Sequence, residues 1–138
     1  MNNVDNVKVF EFPKKGDNRG TLVVIEENKD IPFDIKRIFY MFGTSPEIVR
    51  GQHANRHSEF ILICVAGSCK IKVDDGKGNE EIFLLDKPNK GIYVPKMLWK
   101  DMYDFSCDSV LLVLSDKNYD ENEYIRDYEE YRKEVNNG

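Results

Sequence analysis

Both histidines of this 138-residue chain fall in one stretch, Arg50-Gly51-Gln52-His53-Ala54-Asn55-Arg56-His57-Ser58-Glu59-Phe60, beside two arginines and a carboxylate. Imidazole, with an ordinary pKa of ~6.5, can take up and return a proton near neutral pH, so this is where proton-transfer chemistry has an owner. On a strand, side chains alternate between faces. His53, Asn55, His57 and Glu59 then share one face, and Gln52, Ala54, Arg56 and Ser58 the other. A polar set turned into a barrel reads as a site.

Two chemistries fit these residue types. The first is metal binding, because the spacing resembles the first ligand motif of cupin jelly-roll barrels, a glycine followed by His-x-His and a glutamate. His53, Asn55 and Glu59 take those three ligand positions, and Lys100, after the turn from Gly91 to Pro95, falls where the second motif supplies its histidine. An ammonium repels a divalent ion and an amide is a weak donor to transition metals, so we expect no metal and no other cofactor. The second is acid/base catalysis, in which His53 exchanges a proton with a bound substrate while Arg50 and Lys100 stabilise a developing enediolate. Arg19, Arg37 and Arg50 could meet at the barrel mouth and grip phosphates with their guanidinium forks. Taken singly, His57 and Arg56 are ordinary strand polar residues, and Tyr40, Trp99 and Tyr103 ordinary core or rim aromatics. The pairing of Arg50 with His53 carries the functional reading.

The elements that must position these residues are strands. Val7 to Phe12, Gly20 to Glu26, Ile35 to Phe42, Glu59 to Val65, Cys69 to Val73, Glu80 to Leu85, Gly91 to Val94 and Ser109 to Ser115 are short β-rich stretches with turn residues between them. That rhythm, without a helix-period segment, predicts an antiparallel sandwich or barrel. Ala66-Gly67-Ser68 reads as a tight turn and Asp74 to Asn79 as a hairpin loop. From Asp120 to Val135 the pattern changes: Tyr124, Ile125, Tyr128 and Tyr131 recur at helical spacing, with Asp120 as cap and Glu123 as its capping-box partner. The expected fold is therefore all-β with one amphipathic C-terminal helix, a single domain over residues 1–138.

Composition excludes other classes. With 25 acidic and 20 basic residues the formal charge is −5, and the basic residues are scattered, which disfavours nucleic-acid binding. No apolar run approaches the ~18 residues of a membrane span, and the N-terminus lacks a signal-peptide core, so a soluble, cytoplasmic protein is expected. Cys64, Cys69 and Cys107 form no CxxC pair; Cys64 and Cys107 lie in apolar runs and read as buried thiols of a reducing compartment.

Several motifs, in order, resemble the nucleotide-sugar 3,4-ketoisomerases from about residue 8 to 131. They are Ile35-Lys36-Arg37-Ile38-Phe39-Tyr40, Arg50-Gly51-x-His53-Ala54, Gly67-Ser68, Gly91-Ile92-Tyr93, Trp99 to Phe105, and Tyr119-Asp120-x-x-x-Tyr124-Ile125-Arg126-x-Tyr128. The resemblance implies a dimeric, metal-independent cupin jelly roll acting on dTDP-4-keto-6-deoxy-glucose. The carbonyl would move from C4 to C3 through an enediol, toward 3-amino sugars of bacterial surface glycans. It further implies His53 as the base at C3, Arg37 and Arg50 in the substrate cleft, and Arg19 at a position tied to C4 configuration. Tyr40 and Asp101 are added as substrate contacts, and Asn55, Lys100 and Tyr103 as partners in the chemistry. The chain departs from the family in having Asn55 where a second, shuttling histidine is expected, and Lys100 where Trp-His is expected. Asn55 cannot titrate, so the proton relay would fall to Lys100, His57, Tyr103 or water. Other readings of the same residues are a non-catalytic sugar-nucleotide-binding module, or an epimerase with His53 as base and Tyr103 as acid. A homodimer is expected, with the Val7 to Phe12 strand available to another subunit's sheet edge.

Overall fold

The computed structural model describes residues 2–137. Its strands are β1 (Lys8–Glu11), β2 (Lys14–Asp17), β3 (Gly20–Val23), β4 (Arg37–Phe42), β5 (Arg50–Asn55), β6 (Phe60–Ala66), β7 (Cys69–Asp74), β8 (Glu80–Leu85), β9 (Lys90–Val94), β10 (Trp99–Tyr103), β11 (Val110–Ser115) and β12 (Tyr124–Ile125), followed by α1 (Tyr128–Asn137). One sheet has the order β1-β9-β6-β11-β4, the other β12-β5-β10-β7-β8, and β2-β3 forms a separate hairpin. Every pair is antiparallel. The result is the cupin-like β-sandwich expected.

The two inner faces make the core. Leu62 and Cys64 of β6, Ile71 and Val73 of β7, Leu85, Ile92, Met102, Leu111 and Val113 are buried together, each contributed by alternate positions of its strand. Burial of such side chains is the main force holding the sheets face to face, at about 1.5 to 3 kcal/mol each. A second cluster covers the outer face of the first sheet, where Ile31 and Phe33 lie on Ile61, Ile63 and Leu114. A third seats α1, with Tyr131 and Val135 against Ala54, Trp99 and Ile125.

Two expectations are revised, the start of the helix and the burial of Cys107. The helix begins at Tyr128, not Asp120, because Tyr124 and Ile125 pair as a strand with Asn55 and Ala54 of β5. Asp120 caps only a short 3-10 turn, Glu121–Glu123, and Glu123 turns its carboxylate elsewhere. The N-terminal strand β1 pairs with β9 of its own chain on one side and is the edge strand of its sheet on the other. Cys107 is exposed in the turn before β11, whereas Cys64 and Cys69 are buried thiols. Among the described residues no helix is long and apolar enough to cross a membrane.

Candidate active site

Strict alternation along β5 would set Arg50 and His53 on opposite faces. The pairing with β10 prevents this, because Lys100 lies opposite His53 and Asp101 opposite Gly51, leaving Gln52 as an extra residue. This is a β-bulge, built from two residues in the left-handed region, Gly51 at φ +81° and Gln52 at φ +55°. Arg50 and His53 thereby both face into the sandwich, and Gln52 is pushed to the outer groove with Lys72, Asp101 and Trp99. A Cβ on Gly51 would sit 2.8 Å from the Lys100 carbonyl oxygen and 2.9 Å from Met102 Cε. We therefore expect Gly51→Ala to lose about 1 to 3 kcal/mol of stability, measured by urea unfolding, since both φ and space forbid the methyl. An unchanged unfolding midpoint would show that the bulge relaxes freely.

Arg50, His53, Lys100 and Tyr124 form the polar wall of a cavity of about 120 Å³, and Phe39, Met41, Phe60, Leu62, Met102 and Val113 form its apolar remainder. That is smaller than the ~300–1,000 Å³ pockets that enclose whole drug-sized ligands, so one ring fits inside and the rest of a larger ligand must lie at the mouth. Such a two-sided lining suits a small ring with polar groups on one edge and carbon on the other.

His53 is fixed on two sides. Its Nδ1 lies 3.0 Å from the Gly51 carbonyl oxygen. A carbonyl can only accept, so Nδ1 carries the hydrogen in the neutral ring and Nε2 keeps its lone pair. The Tyr124 ring stands edge-on to the imidazole, with centroids 4.9 Å apart. Burial pushes the His53 pKa down to about 4, helped by the positive charge of Lys100 and opposed by the Gly51 hydrogen bond. At neutral pH it is a free base.

Lys100 is almost wholly buried, 3% exposed. Its Nζ donates to Asn55 Oδ1 at 3.4 Å and lies 4.5 Å from the centre of the Phe60 ring, and it has no ion-pair partner among the described residues. Burial brings its pKa down to about 7, with Glu123 pulling the other way. The lysine can both give and take a proton at working pH.

The sequence-predicted residues divide. His53, Lys100 and Arg50 line the cavity. Arg37 lies at its edge: its Nη1 donates to the Tyr124 hydroxyl at 3.4 Å, its guanidinium rests on the Phe39 and Phe60 rings, and its Nε and Nη2 are buried without partners. Asn55 is fully buried behind Lys100. Asp101 and Tyr103 fall on the other face of β10 from Lys100, as strand alternation requires, and Asp101 pairs with Lys72 at 3.7 Å. Tyr40 is likewise outside, 61% exposed and stacked on Phe42. Arg19 is paired with Asp17 at 2.6 Å on the β2-β3 turn, away from the cavity within this chain. His57 and Glu59 do not join His53, because β5 ends at Asn55. His57 is exposed in the following turn, and Glu59 accepts from the Tyr93 hydroxyl. With Glu59 so engaged and an ammonium opposite His53, the residues at the cupin ligand positions do not fit a metal ion. Tyr124 was missed as a site residue because its spacing read as helix; only its pairing with β5 brings it to His53.

Comparison with known proteins agrees with this geometry. Residues 5–136 match the family described as FdtA: WxcM-like, C-terminal. The chain is 48% identical over 128 residues to the TDP-4-oxo-6-deoxy-alpha-D-glucose-3,4-oxoisomerase of Aneurinibacillus thermoaerophilus, covering 93% of this chain and 91% of that protein. A 3,4-ketoisomerase from Helicobacter canadensis superposes with a TM-score of 0.92 at 45% identity, over 95% of this chain and 98% of its own. A mutant of the 3,4-ketoisomerase QdtA from Thermoanaerobacterium thermosaccharolyticum, in complex with TDP-4-keto-6-deoxyglucose, superposes with a TM-score of 0.92 at 39% identity, over 96% of this chain and 95% of its own.

Proposed function

The chain belongs to the FdtA/WxcM-like family of nucleotide-sugar 3,4-ketoisomerases, and on that premise we propose that it converts TDP-4-keto-6-deoxyglucose to the 3-keto sugar using His53 and Lys100. His53 Nε2 takes the C3 proton while the Lys100 ammonium gives a proton to O4, producing a neutral enediol. The Lys100 amine then accepts the proton of the O3 hydroxyl, and the imidazolium returns its proton to C4. Both residues end as they began, one hydrogen has moved from C3 to C4, and another has moved from O3 to O4. The observation that carries this reading is the pairing, in one small cavity, of an unprotonated Nε2 with a buried titratable amine.

The other site residues support it. Arg50 at the mouth, and Arg37 with its unpartnered N–H groups, suit the diphosphate, and the apolar floor suits the C5–C6 end of a 6-deoxy sugar. The epimerase alternative loses its acid, since Tyr103 is outside the cavity. The binding-module alternative rested on Asn55, which is not at the reacting centre: Lys100 takes the second titratable place. A homodimer belongs to the same proposal, supported by the exposed Ile38, Tyr40 and Phe42 on the free edge strand β4 and by Leu22 on the projecting β2-β3 hairpin. The buried free thiols Cys64 and Cys69 favour a reducing compartment, the cytoplasm. The 3-keto product has the carbonyl an amino-transferring enzyme needs to make a 3-amino sugar of a surface glycan.

The test is to incubate the protein with C3-deuterated TDP-4-keto-6-deoxyglucose and follow the product by NMR. A 3-keto sugar with part of the label at C4 is expected, because one imidazole carries the proton across one face. No product and no wash-out of label would overturn the assignment.

A further inference from the structure

Glu123 is buried, 3% exposed, at the end of the 3-10 turn that precedes β12. Its carboxylate accepts from the His57 amide at 2.9 Å, the Ser58 amide at 2.8 Å and the Ser58 hydroxyl. Its carbonyl accepts from the Arg56 amide at 3.0 Å. The chain leaving β5 is thus fastened to the C-terminal segment at Arg56, His57 and Ser58, directly after Asn55. Asn55 pairs with Tyr124, the next residue after Glu123, and its side chain holds Lys100. A neutral acceptor could close this turn. A carboxylate taken out of water costs several kcal/mol unless the charge itself is useful or fully hydrogen-bonded, which raises the question of what the charge acts on.

The groups facing Lys100 are few. β5 presents His53 and Arg50, with Asn55 on the lysine Nζ; β6 presents Phe60, β11 presents Val113, and the C-terminal segment presents Tyr124, with Arg126 stacked on its ring and Glu123, the residue before it, buried against the turn that follows Asn55. Arg37 stands at the cavity edge. Every charge in this set except Glu123 is positive or, in His53, becomes positive during the reaction. Its three donors hold Glu123 below the ordinary carboxylate range although burial works to raise it. A negative charge buried one residue before Tyr124 and beside the strand end that holds Lys100 favours the protonated forms of Lys100 and His53, against the burial that disfavours them.

We infer that Glu123 is a positioning residue for this chemistry, whose buried charge, fixed by the His57–Ser58 turn, offsets the cationic surroundings so that Lys100 can hold the proton it gives to the substrate. The role of Lys100 rests on the reading given above; the electrostatic link between Glu123 and Lys100 does not.

The test separates the two. In protein carrying ¹³Cε-lysine and no substrate, the Lys100 resonance is titrated in wild type, Glu123→Gln, Glu123→Asp and Ser58→Ala. Glu123→Gln is expected to lower the Lys100 midpoint by about half a unit to one unit, a three- to tenfold fall in its protonated fraction above the midpoint. Ser58→Ala, which loosens the turn but keeps the charge, is expected to leave the midpoint near wild type, and Glu123→Asp to restore most of it. The descending limb of kcat/KM against pH is expected to move with the midpoint, with kcat falling at pH 7 and KM little changed. A folded Glu123→Gln protein with an unmoved midpoint overturns the inference, as does Ser58→Ala shifting it equally. If Glu123→Gln does not fold, Glu123→Asp decides: its carboxylate withdraws by one methylene, so a small downward shift supports the inference and none overturns it. A shifted midpoint in a protein with no isomerase activity would sink the catalytic reading and leave the electrostatic one standing.

Discussion

His53→Asn lowers kcat for TDP-4-keto-6-deoxyglucose by about 10²- to 10⁴-fold, the usual contribution of a positioned base, while KM stays within a few-fold. Asparagine keeps a side-chain N–H that can reach the Gly51 carbonyl, so the bulge and the packing against Tyr124 survive; what is lost is the basic Nε2 facing the cavity. The fall belongs to kcat because, in the proposed mechanism, the imidazole contributes through proton transfer in the transition state, not through holding the nucleotide, the part proposed for Arg50 and Arg37. Deuterium wash-out from C3 disappears together with product formation, since both begin with the same proton abstraction. The measurement is single-turnover NMR with C3-deuterated substrate beside a binding isotherm for TDP. Turnover within about threefold of wild type would place the base elsewhere. Lost binding with unchanged turnover at saturation would make His53 a contact rather than a base.

His53 as the proposed base was legible from its residue type and neighbours; how it shares a face with Arg50 was not. Period-two reasoning cannot register an extra residue, and the Gly51-Gln52 bulge shifts the phase of everything before it. The same period extended too far in the other direction, carrying His57 and Glu59 onto the face of His53. The strand stops at Asn55 because the following amides go to Glu123 rather than to a neighbouring strand. Along β10 the alternation held, and it excludes Asp101 and Tyr103 from the cavity that admits Lys100. An antiparallel sandwich or barrel was readable from strand rhythm, the jelly roll from the family resemblance, and α1 from its aromatic spacing. The misplacement of the helix start has a local cause. Tyr124 and Ile125 fit a helical stripe equally well, and only a tertiary partner, the edge of β5, decides between the two conformations. The placement of Tyr124 beside His53, and of Glu123 under the turn after β5, follows from that pairing and had no local signal as part of a site.

Lys100→Met lowers kcat/KM by about 10²- to 10³-fold at pH 6 and removes the descending limb of its pH profile. In the free wild-type enzyme the base must be unprotonated and the amine protonated. His53, depressed to about 4, is in its active form above that value, and Lys100, depressed to about 7, is in its active form below it. So kcat/KM rises through about pH 4 and falls through about pH 7. The kcat limb lies at higher pH, because a bound diphosphate raises the lysine's affinity for its proton. Lys100→Arg keeps the charge without releasing a proton at these pH values; it also lacks the descending limb, with a rate between wild type and the methionine variant. Stability moves the opposite way. A lysine bound to its proton less tightly in the folded state opposes folding most strongly below about pH 7, an opposition that fades as pH rises toward 10.5. Lys100→Met, similar in length and apolar, therefore unfolds at a higher temperature than wild type at pH 6, by a margin that shrinks in alkaline buffer. Calorimetry and a pH–rate series on the same preparations read both effects. A methionine variant that stays active, or that keeps the descending limb near pH 7, would assign the oxygen protons to another group. One that melts early instead would show that the buried amine is held by partners stronger than Asn55.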